Sequence, residues 1–263
     1  MQTFDDLMDL SRADAGWRAH ISADWMQGRG SFGGLTAALA IRALRHDLGD
    51  ARPLVSLDIA FIGPAGGDVD ITTETLRKGR NVTHAAAEIR SEGNPVVRAH
   101  AVYGVARPTG ITVAAPLANP SGARDSVEPW PHLPGIMPTF TQHFEFRATE
   151  GDVPFSGSSR ATMGGYVRFV STPSSELTTE TLVALVDAWP GPMLPLGERP
   201  FPASSVRMSV QVVGAPPADF EDDYWFHSEC IAAESGYATI VGRLYAGETL
   251  VLWMEQLVAY FDA

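Results

Sequence analysis

The chain has 263 residues, 45% hydrophobic and 19% charged. That is the composition of a globular protein rather than a disordered one, long enough for one large domain or two small ones. Lysine and arginine number 19 against 31 aspartates and glutamates, a net charge of −12, which argues against nucleic-acid partners and docking on anionic lipid. The single cysteine, Cys230, excludes an internal disulfide and a cysteine-rich zinc site and reads as a small buried strand residue. No apolar run reaches the ~18 residues of a membrane span. The acidic N-terminus lacks the basic-then-apolar order of a signal peptide, so a cytoplasmic protein is expected.

Residues 17–26 read as a short strand, and Gly28, Gly30, Gly33 and Gly34 punctuate the turn after it. From Leu35 the spacing becomes helical: Leu35, Ala38, Leu39, Leu44 and Leu48 share a face. Gly49 suits the stop, with Pro53 shortly after it. Four strand-like segments follow, at 54–62, 68–78, 81–91 and 95–106. The glycine-rich turns between them are too short for parallel crossovers and predict antiparallel neighbours. Between 107 and 137, Pro108, Pro116, Pro120, Pro129, Pro131 and Pro134 remove ladder donors and mark a linker.

After the linker the order repeats. Segments 138–148 and 164–171 read as strands. A helix capped by Ser175 or Thr178 runs to about Trp189, where Pro190-Gly191-Pro192 stops it. Further strands are expected at 204–213, 222–234, 237–246 and 249–261. Leu57-Asp58-Ile59-Ala60-Phe61-Ile62-Gly63 lies over Met208-Ser209-Val210-Gln211-Val212-Val213-Gly214, an internal repeat of element order. The chain therefore divides into an N-terminal repeat (1–106), the linker (107–137) and a C-terminal repeat (138–263). Each repeat is α+β: a helix wrapped by a curved antiparallel sheet. Joining the sheets edge to edge protects strand edges.

This order resembles the hotdog fold, and two copies in one chain resemble a double hotdog with two long helices. The more specific resemblance is to the acyl-CoA thioesterase II (TesB-like) family. Phe32-Gly33-Gly34 is similar to the family's Phe-Gly-Gly, and Arg77-Lys78-Gly79-Arg80-Asn81 to its Arg-x-Gly-Arg-Ser turn. Tyr166-Val167-Arg168 leading into a helix that ends Asp187-Ala188 is similar to its aromatic-x-Arg strand and following helix, and the last strand carries Gln256. The resemblance covers nearly the whole chain. It implies hydrolysis of acyl-CoA to free acid and CoA by an Asp, a hydroxyl residue and a Gln from the second repeat. These fall on Asp187, on Ser205 (Ser204 being the register alternative) and on Gln256. The family's Asp-His pair after the hydroxyl residue reads Arg207-Met208 here, and a first-repeat histidine position reads Asp58.

The residues carry their own weight beside the resemblance. Asp187 sits in the last turn of an apolar helix, where a negative charge opposes the dipole. That fits a base that orients water, and it fits an exposed helix-end Asp equally well. Gln256 shares a face with Leu250, Leu252, Met254 and Val258, and a buried amide there needs partners. Strict alternation places Ser205 with Arg207, Ser209 and Gln211 on what reads as a solvated face. The helix start at Gly33-Gly34 offers unpaired amides to a developing oxyanion, or serves tight packing alone. Arg80, with Arg77, is a candidate contact for CoA phosphates or part of a solvated turn, and His84, in the strand after that turn, is a candidate substrate contact or an ordinary surface or core histidine. The scattered histidines form no ligand pair, so neither metal nor cofactor is expected beyond CoA in the substrate. A homo-oligomer is expected. Two alternatives stand beside hydrolysis: another hotdog acyl-thioester enzyme, a hydratase or dehydratase, and a non-catalytic acyl-CoA binding protein. An acidic protein that binds anionic CoA needs a local cation, so the sparse arginines matter.

Overall fold

The computed structural model describes residues 1–49, 52–120, 122–218, 220–221 and 223–262, with Leu177 described by its backbone alone. A one-turn helix, α1 (Phe4–Met8), is held by a reciprocal Thr3–Asp6 capping box. Then come β1 (Ser11–Ala13), β2 (Gly16–Ile21), the hairpin β3 (Met26–Gln27) and β4 (Gly30–Ser31), and helix α2 (Gly33–Leu48). Strands β5 (Leu54–Phe61), β6 (Gly67–Lys78), β7 (Val82–Ser91) and β8 (Asn94–Gly104) complete the first repeat. The second comprises β9 (Phe144–Gly151), β10 (Thr162–Phe169), α3 (Thr178–Val186), β11 (Ala203–Val212), β12 (Tyr224–Glu234), β13 (Tyr237–Ala246) and β14 (Thr249–Tyr260).

The strands form one antiparallel sheet in the order β1-β2-β6-β7-β8-β5-β11-β14-β13-β12-β10-β9. The repeats join between β5 and β11, where Leu57 faces Val210 and Ile59 faces Met208. All four side chains are buried, so the seam is part of the core. Alternation decides which face each strand turns inward: Thr83, Ala85, Ala87 and Ile89 of β7 are buried while His84, Ala86, Glu88 and Arg90 are not. The inner face wraps α2, which is buried without interruption from Gly34 to Ile41. Gly49 ends α2 in the left-handed conformation, φ 58°, its amide returning to the Arg45 carbonyl. Helix α3 lies antiparallel against α2: Gly34 packs on Ala184 at one end, and Arg45 reaches Glu180 at the other. This is the α+β double hotdog expected from the repeat.

Several local expectations change. The strand expected over 17–26 ends at Ile21, and Ala23–Trp25 form a 3₁₀ turn that buries Trp25, whose indole N–H donates to the Gln2 carbonyl. Residues Thr139–His143 are a 3₁₀ turn rather than the start of a strand. The second helix is nine residues against sixteen for α2, so one helix is long and the other short. It ends at Val186, where the Asp187 and Ala188 amides bond three residues back, to Ala184 and Leu185. Cys230 is half-buried rather than enclosed.

Candidate active site

Helix α2 starts without a side-chain cap, since Phe32 at the N-cap has nothing to offer. Its first amides need acceptors, and α3 supplies one. The Gly34 amide donates to Asp187 Oδ2 at 2.7 Å. A carboxylate that opposes the dipole of its own helix thus sits at the positive end of its neighbour's. The approach depends on missing side chains. A Cβ on Gly34 would lie 2.6 Å from Phe32 Cε2 and 2.8 Å from the Ala184 carbonyl oxygen. One on Gly33 would lie 2.7 Å from Asp187 Oδ2 and 2.8 Å from Phe61 Cζ.

Gln256 points inward from β14, buried, as the alternation of that strand predicts. Its Nε2 donates to Asp187 Oδ1 at 2.7 Å and to Ser205 Oγ at 2.8 Å. Both amide protons are used, and one side chain fixes the other two. Ser205 reaches this place through a bulge that strict alternation hides. Ser205 pairs with Val258 and Arg207 with Leu257, leaving Val206 unpaired between them. The extra residue flips the facing, so Ser205 shares the inner side with Met208 and Val210 and not with Arg207. Ser204, opposite Ala259, is exposed. The hydroxyl brought to Asp187 is therefore that of Ser205.

Asp187 is half-buried as a residue, and the surrounding protein strips the hydration from its carboxyl. Burial pushes its pKa up to about 6, against the opposing pull of the Gln256 and Gly34 donors. Ser205 accepts from Gln256, so its own proton is free to point outward. The Gly34 amide, expected with Gly33 to face an oxyanion, is taken by Asp187. Among the described residues no hydrogen bond engages the Gly33 amide, and Gly33 is only half-buried.

Arg80 and His84 are not brought here. Arg80 is exposed in the β6–β7 turn, whose Gly79 carbonyl accepts from Arg52, just beyond the C-terminus of α2. The length of α2 separates that end from Gly34 by roughly 22 Å. His84 lies on the outer sheet face, Nδ1 3.1 Å from His100 Nε2. The two departures from the family pattern also separate. Arg207 points outward to Glu255, while Met208 is fully buried opposite Gln256. Asp58 is on the outer face opposite Ser209.

Residues 21–104 match the acyl-CoA thioesterase N-terminal domain, and residues 117–260 the C-terminal domain of the same family. The chain belongs to the acyl-CoA thioesterase family. Solved structures superpose over essentially the whole thioesterase. A conserved hot-dog-fold protein of unknown function from Alicyclobacillus acidocaldarius gives TM-score 0.86 at 22% identity, covering 99% of this chain and 98% of that one. Acyl-CoA thioesterase II TesB2 of Mycobacterium marinum gives 0.80 at 15%, covering 99% of each. The tesB protein of Mycobacterium avium subs paratuberculosis gives 0.80 at 15%, covering 97% of each. No curated protein matches the thioesterase in sequence. The family makes the chain an enzyme that hydrolyses thioesters. No helix among the described residues is long and apolar enough to cross a membrane.

One residue at the site was not singled out by sequence. Phe61, near the end of β5, brings its ring beside Gly33. The signal was present: Leu57, Ile59 and Phe61 alternate inward on one strand, and the row runs up to Gly63-Pro64.

Proposed function

We propose that this thioesterase hydrolyses acyl-CoA to free acid and CoA, with Asp187 as general base. The observation that carries the reading is the Gln256 amide, which binds Asp187 and Ser205 at once. It holds a carboxylate and a hydroxyl at a fixed separation in a nearly dry place, as a water-activating pair requires. A water between them donates to the carboxylate and accepts from the Ser205 hydroxyl. Asp187 takes its proton as the oxygen attacks the thioester carbonyl. A carboxyl near pKa 6 is ionised at neutral pH and is a stronger base than an ordinary aspartate. The oxyanion then meets the Gly33 amide at the positive end of α2. When the tetrahedral intermediate collapses, the C–S bond breaks, and the proton held by Asp187 passes to the CoA sulfur.

Ser205 is a ligand for the water rather than a nucleophile. Its oxygen already accepts from Gln256, and no base among the described side chains contacts it. The phosphates of CoA need a cation on an acidic protein. Arg29, exposed in the β3–β4 turn leading to Gly33, makes no ion pair among the described residues and stands at the correct end of α2. The test is release of free CoA from short, medium and long acyl-CoAs by wild type and Asp187→Ala. Turnover of at least one by wild type and its loss in the variant is expected. Binding without turnover in wild type overturns hydrolysis, and full activity in the variant overturns the assignment of the base.

A further inference from the structure

Phe61 stands where the two repeats meet. It follows Leu57 and Ile59 along the inner face of β5; those two are completely enclosed, whereas Phe61 is only half-buried. The apolar row therefore opens at its last member. It opens at the seam with β11, since Ala60 pairs with Arg207 and the β11 bulge that turns Ser205 inward comes next along that strand. The ring atoms Cζ and Cε1 lie 2.8 and 3.0 Å from the point a Cβ on Gly33 would occupy, and Asp187 Oδ2 lies 2.7 Å from that same point. One position in space thus lies beside the carboxylate, the Phe61 ring and the start of α2.

Any thioester carbonyl that meets both the Gly33 amide and a water on Asp187 must pass beside this ring. The CoA side of the thioester has to lead out to solvent, because CoA carries a large, multiply charged nucleotide whose burial would strip it of water. The acyl side therefore takes the protein wall. Resting on the general-base reading above, we propose that Phe61 is a specificity-determining residue whose ring packs against the carbon next to the thioester carbonyl and rejects acyl groups branched there. The preferred substrates are then straight-chain acyl thioesters, and a methyl on the α-carbon collides with the ring as a Cβ on Gly33 would.

The experiment compares kcat/KM for the straight-chain acyl-CoA that wild type hydrolyses fastest with that of its 2-methyl analogue, in wild type, Phe61→Ala and Phe61→Leu. In wild type the straight chain should be favoured by at least tenfold. Phe61→Ala should shrink that preference about tenfold, mainly through a gain on the branched substrate, with Phe61→Leu between the two. Phe61→Leu keeps an apolar side chain on Gly33, so it decides the matter where circular dichroism shows Phe61→Ala unfolded. A preference unchanged in the folded variants, or equal rates on both substrates in wild type, overturns the proposal while leaving hydrolysis intact. Absence of any turnover by wild type instead removes the general-base reading.

Discussion

The two ends of the antiparallel helix pair hold the same kind of group in opposite circumstances. Where α2 starts and α3 ends, Asp187 meets a backbone amide and a glutamine amide, with no cation bonded to it among the described residues. Where α3 starts and α2 ends, Glu180 is fully enclosed and accepts from Arg45 Nη1 at 3.0 and 2.8 Å. Beside it Tyr103 carries a buried hydroxyl with no hydrogen-bond partner among the described residues, and burial with the nearby Glu180 charge pushes that phenol well up. Burial raises both carboxyls, and at Glu180 it outweighs the pull of Arg45. The internal repeat makes the two ends related places, with Gln256 and Ser205 furnishing only one of them. A desolvated carboxylate left without a counter-ion can serve as a base. One neutralised by a guanidinium becomes a structural pin between the helices.

The largest way to break this contrast is to neutralise the first carboxylate. Asp187→Asn keeps the size of the side chain and removes the proposed base, so kcat for acyl-CoA should fall by about 10³-fold or more, read as thiol release at saturating substrate. A residual rate within tenfold of wild type would place the base elsewhere. The second end should respond in stability instead. Arg45→Met leaves Glu180 enclosed without its bonded guanidinium, which costs about 2–4 kcal/mol, toward the lower part because that guanidinium is itself about two-fifths exposed and Arg42 still acts on Glu180 from a distance. Arg45→Met with Glu180→Leu removes both charges and should recover most of that loss in urea unfolding. The rate per folded molecule should stay near wild type in both variants.

The same contrast has a pH signature. The pKa of Asp187 is about 6 in the folded chain, against about 3.9 in an unfolded one. The folded state holds this proton more tightly, so its contribution to stability is full below about pH 4 and is lost as pH rises toward 6. Asp187→Asn lacks that loss. Its stability relative to wild type should therefore rise by about 2–3 kcal/mol between pH 4 and pH 7.5, whatever contacts the amide forfeits at both pH values. A flat difference between the two proteins would mean that the carboxyl titrates normally and is not desolvated. In catalysis, the acid limb of kcat/KM should have its midpoint near pH 6 and disappear with the variant.

How far the sequence foretold these ends depends on how local the cause is. The repeat, the strand order within it and the inward Gln256 follow from turns and period-2 alternation, which neighbouring residues fix. Asp187 stood out because it broke a local preference, but the group that resolves the conflict is the Gly34 amide, 153 positions away. Ser205 was misplaced for a sharper reason. The bulge at Val206 shifts one residue in one pairing, and nothing in Ser204-Ser205-Val206-Arg207 announces it; only the resemblance pointed there. Arg80, from its turn motif, and His84, from the strand after that turn, are sequence candidates for substrate contact, whereas the length of α2 keeps the Arg80 turn from Asp187, and His84 faces outward to His100. Glu180 gave no signal at all, since an acidic residue in the first turn of a helix is ordinary and its enclosure comes from Arg45 across the helix pair.

The smallest effect separates two chemistries at the active end. Ser205→Ala removes the hydroxyl that accepts from Gln256 and leaves Asp187 with both of its donors. If Ser205 only positions water, the loss is that of one hydrogen bond, about 1–1.5 kcal/mol, so kcat should fall about tenfold while the acid limb near pH 6 persists. Ser205→Thr restores the hydroxyl and should recover most of the rate. If Ser205 were instead acylated, the alanine variant would lose activity as completely as Asp187→Asn, and wild type quenched during turnover would carry the acyl group on that side chain. Mass spectrometry of the quenched enzyme reads this directly. The Gln256 contact argues for the first outcome: an oxygen that already accepts a hydrogen bond from an amide, with no base among the described side chains in contact to take its proton, is a poorer nucleophile than a water beside a carboxylate of pKa about 6.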